Sequence, residues 1–151
     1  NTHMDLTKGK QNINFDLSSE SHVRAPAADA SWKPAQHGWV KLNTDGSFSA
    51  DGGAGAGMLL RDAHGNIIFS ACRALYSCRD ALEAELCACM EGISFEVQHS
   101  HLLIEIEMDS SMAVEMISSG KVNRSVYASW IEEIKNLLSL RQSCITLAPR
   151  C

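Results

Sequence analysis

Three acidic residues occupy positions where packing alone would not place them. Asp45 and Asp109 each end a run of alternating hydrophobic residues, and Glu85 lies three residues after Leu82 and four before Cys89, on or beside the apolar face of a helix. Ligand sites in α/β proteins gather where strands end. Taken singly, each acid has an ordinary explanation, because Asp-Gly and Asp-Ser are common turn dipeptides and a glutamate at a helix rim is common.

Taken together, the three acids indicate a metal site. Carboxylates brought together from two strands and a packed helix repel one another, and desolvation raises their pKa values further unless a cation neutralises them. No His or Cys accompanies them at a metal-ligand spacing. Because an all-oxygen ligand set suits Mg²⁺ or Mn²⁺, the sequence predicts such a site at Asp45, Glu85 and Asp109.

The hydrophobic periodicity predicts the elements that hold these acids. In chain order they are strands at 39–45, 58–62 and 67–72, a helix at 80–97, a strand at 102–109, helices at 110–119 and 127–140, and a strand at 144–147. Three strands followed by alternating elements are typical of an α/β fold with a mixed sheet. The glycine-rich stretch 51–57 lacks the Gly-Lys-Ser/Thr of a phosphate-binding loop, so it is predicted to be a wide connection between strands.

Composition restricts the class of protein. A chain of 151 residues with 45% hydrophobic residues is long enough for one domain with a substantial core. Its net charge of -5 argues against binding nucleic acid through bulk charge alone. No apolar run approaches the ~18 residues of a membrane span, so we expect an intracellular protein, nuclear or cytoplasmic, with no membrane partner. Residues 1–31 are polar and aperiodic and predict a flexible leader, with the folded domain at 32–151.

The six cysteines predict small buried side chains in a reducing compartment. No CxxC pair occurs, and Cys87 and Cys89 point roughly 200° apart on a helix, so they cannot share a metal. A hydrolase with Cys72 or Cys144 as its nucleophile is disfavoured, because neither has a recognisable His–acid partner.

Four short motifs carry a resemblance to a known family. They are NTDGS at 43–47, AGAGM at 54–58, AEL at 84–86 and IEMDS at 106–110. In this order and spacing they resemble the plant branch of the ribonuclease H family, found in retroelement reverse transcriptases and their domesticated relatives. The resemblance covers residues 32–147.

The resemblance implies a ribonuclease H-like fold, with a five-stranded mixed sheet in the order 3-2-1-4-5. Members of the family cleave the RNA strand of an RNA–DNA hybrid by two-metal hydrolysis. By the resemblance, Asp45 bridges both ions, while Glu85 and Asp109 hold one each or orient water. The family's fourth carboxylate lies on a helix after the last strand, and the sequence ends at Cys151 before such a helix. We therefore expect a C-terminally truncated domain that lacks this helix.

Two functions follow as expectations. The first is an RNase H-type endonuclease domain of weak activity that depends on Mg²⁺ or Mn²⁺ and acts on RNA–DNA hybrid or structured nucleic acid. The second is a module that binds nucleic acid or protein and keeps only a vestigial carboxylate site. The three motif acids favour the first, whereas the net charge of -5 and the expected loss of the C-terminal helix favour the second.

The pairing of the two aspartate-bearing strands is also predictable. Aligning the aspartates in a parallel pair places Asn43 beside Glu107 and Lys41 beside Glu105. This polar face is the one that the absent helix would cover, so we expect a half-exposed ion pair and a surface where a second copy or a partner helix docks. The apolar residues expected to be exposed there are Trp39 and Leu103.

Overall fold

Five strands and three helices make up the part of the chain that the computed structural model describes, residues 32–140 and 143–148. The elements are β1 (Trp39–Phe48), β2 (Ala54–Arg61), β3 (Ile67–Leu75), α1 (Ala81–His99), β4 (Leu103–Met108), α2 (Ser111–Ser118), α3 (Ala128–Leu138) and β5 (Ser143–Leu147). The strands form one sheet in the order β3-β2-β1-β4-β5, which confirms the expected topology. The predicted leader lies outside the described residues.

The register of the central strands aligns the two aspartates. Strand β1 runs antiparallel to β2 and parallel to β4, with Lys41 opposite Glu105 and Asn43 opposite Glu107, as predicted. The last parallel pair joins Thr44 to Met108, so the next residue on each chain is an aspartate. Parallel pairing of two hydrophobic strands therefore brings Asp45 and Asp109 to the same end of the sheet.

Helix α1 covers the apolar face of β1. Its apolar residues Leu86, Cys89 and Ile93 follow one another at helical spacings of three and four and are buried, and each fully buried aliphatic side chain stabilises the fold by about 1.5–3 kcal/mol. A Cβ atom at Gly92 would lie 2.9 Å from the Thr44 methyl carbon, so glycine permits the close approach of helix and strand. Although α1 has 19 residues, none of the described helices is long and apolar enough to cross a membrane.

The glycine-rich stretch differs from its predicted loop. Strand β2 begins at Ala54 and includes Gly55 and Gly57, and β1 continues past Asp45 to Phe48. Glycine has a low strand propensity, but β2 pairs with β1 on one side and β3 on the other, and this backbone pairing overrides the local preference. Asp45 consequently lies within a strand rather than at its end.

The opposite face of the sheet also corrects a prediction. Trp39 and Leu103 are half-buried, not exposed. The segment before β1 folds back over this face, where the Trp32 ring stacks 3.9 Å from the guanidinium carbon of Arg61 and the Lys33 carbonyl accepts a 2.6 Å hydrogen bond from Lys41. The docking surface expected for a second copy or a partner helix depended on exposed Trp39 and Leu103, and neither residue is exposed.

The cysteines are divided between core and surface. Cys87 and Cys89 are buried as predicted, whereas Cys72 and Cys144 are exposed. Their exposure follows from topology, because β3 and β5 are the two edge strands of the sheet. All the cysteines within the described residues are free thiols.

Candidate metal centre

The three predicted acids converge on one site. Asp45 comes from β1, Glu85 from the second turn of α1, and Asp109 directly follows β4. One carboxylate oxygen from each residue lies within 4.8 Å of those of the other two. Asp45 and Glu85 are half-buried and Asp109 is exposed, so the site opens to solvent on the Asp109 side. This geometry allows one cation to contact all three carboxylates.

A glycine on β1 places Glu85 in the site. The Gly46 amide donates a 3.1 Å hydrogen bond to Glu85 Oε1. A Cβ atom at Gly46 would overlap the carbonyl of Ala84 and lie 2.5 Å from the Glu85 nitrogen, so only glycine lets the helix backbone approach this closely. Both residues of the Asp45-Gly46 pair therefore contribute to the site. Asp45 supplies a carboxylate, and Gly46 leaves room for the helix that supplies Glu85.

The electrostatics of the site favour a bound cation. The pKa of Glu85 is raised from 4.5 to about 8, mainly by burial, against the opposing hydrogen bond from the Gly46 amide, and with smaller contributions from the charges of Asp109 and Asp45. Burial, followed by the charge of Asp109, raises the pKa of Asp45 from 3.8 to about 6. Repulsion of this kind is relieved when a divalent cation lies between the carboxylates. The all-carboxylate donor set fits Mg²⁺ or Mn²⁺.

A polar ladder one row away holds the aspartate strands in register. Asn43 donates a 2.8 Å hydrogen bond to Glu107, and the Lys41 ammonium lies 3.3 Å from Glu107 and 3.5 Å from Glu105. Lys41 and Glu107 each expose only 8% of their side chains, so the pair is far more buried than the predicted half-exposed one. A slip of one residue would leave these charges without partners, which specifies the alignment of the two aspartates.

An open cavity of about 310 Å³ adjoins Asp45 on the sheet. Sequence reasoning missed this feature, although the alternation of small residues in AGAGM was its signal. The cavity is lined mostly by small side chains, from Asp45, Ser47, Gly55, Ala56, Gly57, Cys72, Arg73 and Ala74. Short side chains on three neighbouring strands leave room for a ligand to approach the backbone closely beside the carboxylates.

The sheet order and the position of the three acids define a ribonuclease H-like domain. The chain belongs to the reverse transcriptase-like family, whose sequence model matches residues 43–150. Among curated proteins no match reaches significance.

Solved structures with the same fold include three RNase H domains. RNase H1 from the halophilic archaeon Halobacterium salinarum superposes with a TM-score of 0.68 at 20% identity, over 75% of this chain and 87% of that one. The N-terminal RNase H domain of a Mycobacterium tuberculosis protein gives 0.66 at 22% identity, over 74% and 88%. LC11-RNase H1 in complex with an RNA/DNA hybrid gives 0.63 at 20% identity, over 74% and 86%. At these identities the likeness establishes the fold.

Proposed function

We propose that this domain is a divalent-metal-dependent ribonuclease that hydrolyses the RNA strand of an RNA–DNA hybrid. The observation that carries the proposal is the convergence of Asp45, Glu85 and Asp109, with one oxygen of each within 4.8 Å of the others. Membership of the reverse transcriptase-like family and the likeness to a structure solved with an RNA/DNA hybrid support the choice of substrate.

In this proposal Asp45, Glu85 and Asp109 are the metal ligands. Two Mg²⁺ or Mn²⁺ ions, when bound, supply activation of the attacking water and stabilisation of the leaving oxygen. The chain contributes a fixed cluster of carboxyl groups, with Glu85 Oε1 oriented by the Gly46 amide. Because the pKa of Glu85 is about 8 without a cation, Glu85 is largely protonated at neutral pH and loses this proton when it becomes a ligand.

Substrate access is from the solvent side of Asp109, with the open cavity beside Asp45 adjoining it. The chain carries a net charge of -5, so phosphate contacts by lysine and arginine make a small contribution to binding. Recognition then depends on the metal site and on close backbone approach to the 2′-hydroxyl groups that distinguish RNA from DNA.

A cleavage assay tests the proposal. An end-labelled RNA strand is presented as a hybrid with DNA, as duplex RNA and as single-stranded RNA, with Mg²⁺, with Mn²⁺ and with chelator. We expect cleavage of the hybrid alone, only with a divalent cation, leaving 3′-hydroxyl and 5′-phosphate ends. Asp45→Asn should reduce the rate by about 100-fold or more, whereas Glu132→Gln, which removes an equal charge from an exposed position on α3, should leave it unchanged.

The alternative function, a module with a vestigial site, gives a different outcome in the same experiment. Hybrid binding without cleavage in either cation, and with no effect of Asp45→Asn on that binding, would support the binding module and contradict the nuclease.

A further inference from the structure

The start of α1 is held by two acidic side chains. Asp80 caps the helix, with Oδ1 accepting a 2.9 Å hydrogen bond from the Glu83 amide. Glu83 reaches back, with Oε1 accepting a 2.8 Å hydrogen bond from the Arg79 amide. These bonds satisfy backbone donors that a helix start leaves without partners. They use one oxygen of each carboxylate.

The second oxygen of each carboxylate binds an aromatic residue at the start of α3. The Tyr127 hydroxyl donates to Asp80 Oδ2, and Trp130 Nε1 donates a 3.3 Å hydrogen bond to Glu83 Oε2. Both aromatic side chains are half-buried. The two donors lie three residues apart, so they project from neighbouring positions on one side of α3. Each of the two carboxylates therefore uses one oxygen to cap the start of α1 and the other to bind a residue at the start of α3.

Glu85 lies just beyond this connection. It is two residues after Glu83, and its carboxylate already touches the Gly46 amide at 3.1 Å. The backbone of α1 has no clearance there, because even a methyl group at Gly46 would overlap Ala84. A helix start that tilted or frayed would move Glu85 relative to both β1 and the other acids. Contacts to the sheet hold Glu85 from one side, and the bonds to α3 hold the helix start that carries it.

We propose that Tyr127 and Trp130 are positioning residues that hold Glu85 in the metal site through Asp80 and Glu83. The inference rests on the proposed function, because it assigns Glu85 to a metal. Asp80 and Glu83 are already favoured where they lie, because a helix N-terminus attracts acidic side chains and both accept hydrogen bonds from backbone amides there. Their second oxygens accept from donors at the start of α3, which connects this helix start to a second helix.

Single substitutions that remove only the donors test this role. Tyr127→Phe deletes one hydroxyl, and Trp130→Phe deletes the indole N–H while keeping an aromatic ring in the core. We expect each to weaken Mn²⁺ binding by a few-fold, less than the about 10-fold of a group bonded directly to a metal ligand, because each acts through the start of α1. The kcat for hybrid cleavage should fall, and the KM for hybrid should stay the same, because neither donor contacts the substrate.

Asp80 offers a conservative rescue. In Asp80→Asn the amide oxygen still accepts from Glu83, and the amide nitrogen donates to the Tyr127 hydroxyl, so Mn²⁺ affinity should remain within about twofold of the parent. Asp80→Ala removes both bonds and should weaken Mn²⁺ binding at least as much as Tyr127→Phe.

Two controls separate positioning from general stability. Tyr76→Phe makes the same chemical change on a tyrosine that is 81% exposed, and it should leave Mn²⁺ affinity unchanged. Ile134→Val removes one methylene from the buried side of α3, which should lower the melting temperature without affecting Mn²⁺ binding.

The outcomes distinguish this inference from the proposed function. The inference is supported if the parent chain binds Mn²⁺ and if Tyr127→Phe and Trp130→Phe weaken this binding while Ile134→Val does not. Parent-like Mn²⁺ affinity in both donor variants overturns it and leaves the proposed function standing. A parent chain that binds no Mn²⁺ overturns both.

Discussion

The raised pKa values of the acidic cluster predict how the stability of the metal-free chain depends on pH. A carboxyl group whose pKa is higher in the folded than in the unfolded chain binds more protons when folded, between those two values. For Glu85 this window runs from 4.5 to about 8, and for Asp45 from 3.8 to about 6. The free energy of unfolding should therefore fall as pH rises through these windows. The stabilising contribution is complete only below about pH 4.

The size of the effect follows from Glu85. The difference between 4.5 and about 8, at about 1.36 kcal/mol per pH unit, gives about 5 kcal/mol. Because the side chain is only half-buried, solvent screening reduces this figure, and we expect about 2 kcal/mol. For a chain of this length, that corresponds to about 4–8 °C in melting temperature.

The assay compares the parent with Glu85→Gln by thermal and urea unfolding, in chelator, from pH 5 to 9. Glutamine cannot ionise, so the variant should lose less stability than the parent, and the gap should widen by about 2 kcal/mol across the range. Other groups that titrate in this range are common to both chains and cancel in the comparison. Above pH 7 the parent should continue to lose stability while Glu85→Gln levels off, because the Asp45 window has ended.

Two further measurements complete this prediction. Mg²⁺ at about 100 times its dissociation constant stabilises the folded chain by about 2.7 kcal/mol and should offset the loss at pH 9. Asp45→Asn should abolish that increment, and Glu132→Gln should reproduce the parent curve. Parallel curves for the parent and Glu85→Gln would refute the reasoning, because they would show that Glu85 titrates alike in the folded and unfolded chains.

Three other predictions concern packing and binding. Gly46→Ala should abolish Mg²⁺-induced stabilisation, because the added methyl overlaps the Ala84 backbone. Gly120→Ala should be tolerated, because no atom lies within 4 Å of a Cβ atom at that position. Thermal unfolding with and without Mg²⁺ checks both. Lys41→Ala leaves the buried Glu107 without its cation and should lower the free energy of unfolding by about 3 kcal/mol, as measured by urea unfolding. A loss below about 1 kcal/mol would contradict the importance of this pair. Hybrid binding should be weak at about 0.15 M salt and strengthen only slightly on dilution, because few phosphates are neutralised. Fluorescence anisotropy measures both, and tight binding or a steep salt dependence would contradict the prediction.

Local patterns in the sequence were enough to predict the central strands, helix α1 and the three acids. Alternating apolar residues along β1 and β4, and the four-residue spacing along α1, required one face of each element to be buried. Once β1 and β4 are parallel and in register, the position of Asp45 relative to Asp109 follows from counting residues. The Asp80 cap is a local interaction, because its side chain bonds to a backbone amide only three residues away.

The remaining features depend on contacts between elements that are distant in the sequence. Gly55 and Gly57 lie in β2 because β1 and β3 pair with it on either side. The strand propensity of these residues contains no information about partners that are distant in the sequence. The bond between Tyr127 and Asp80 joins residues 47 apart along the chain, so neither sequence neighbourhood contains a trace of the other. The raised pKa of Glu85 likewise arises from burial and from charges on other elements, which exist only once the helix has packed onto the sheet.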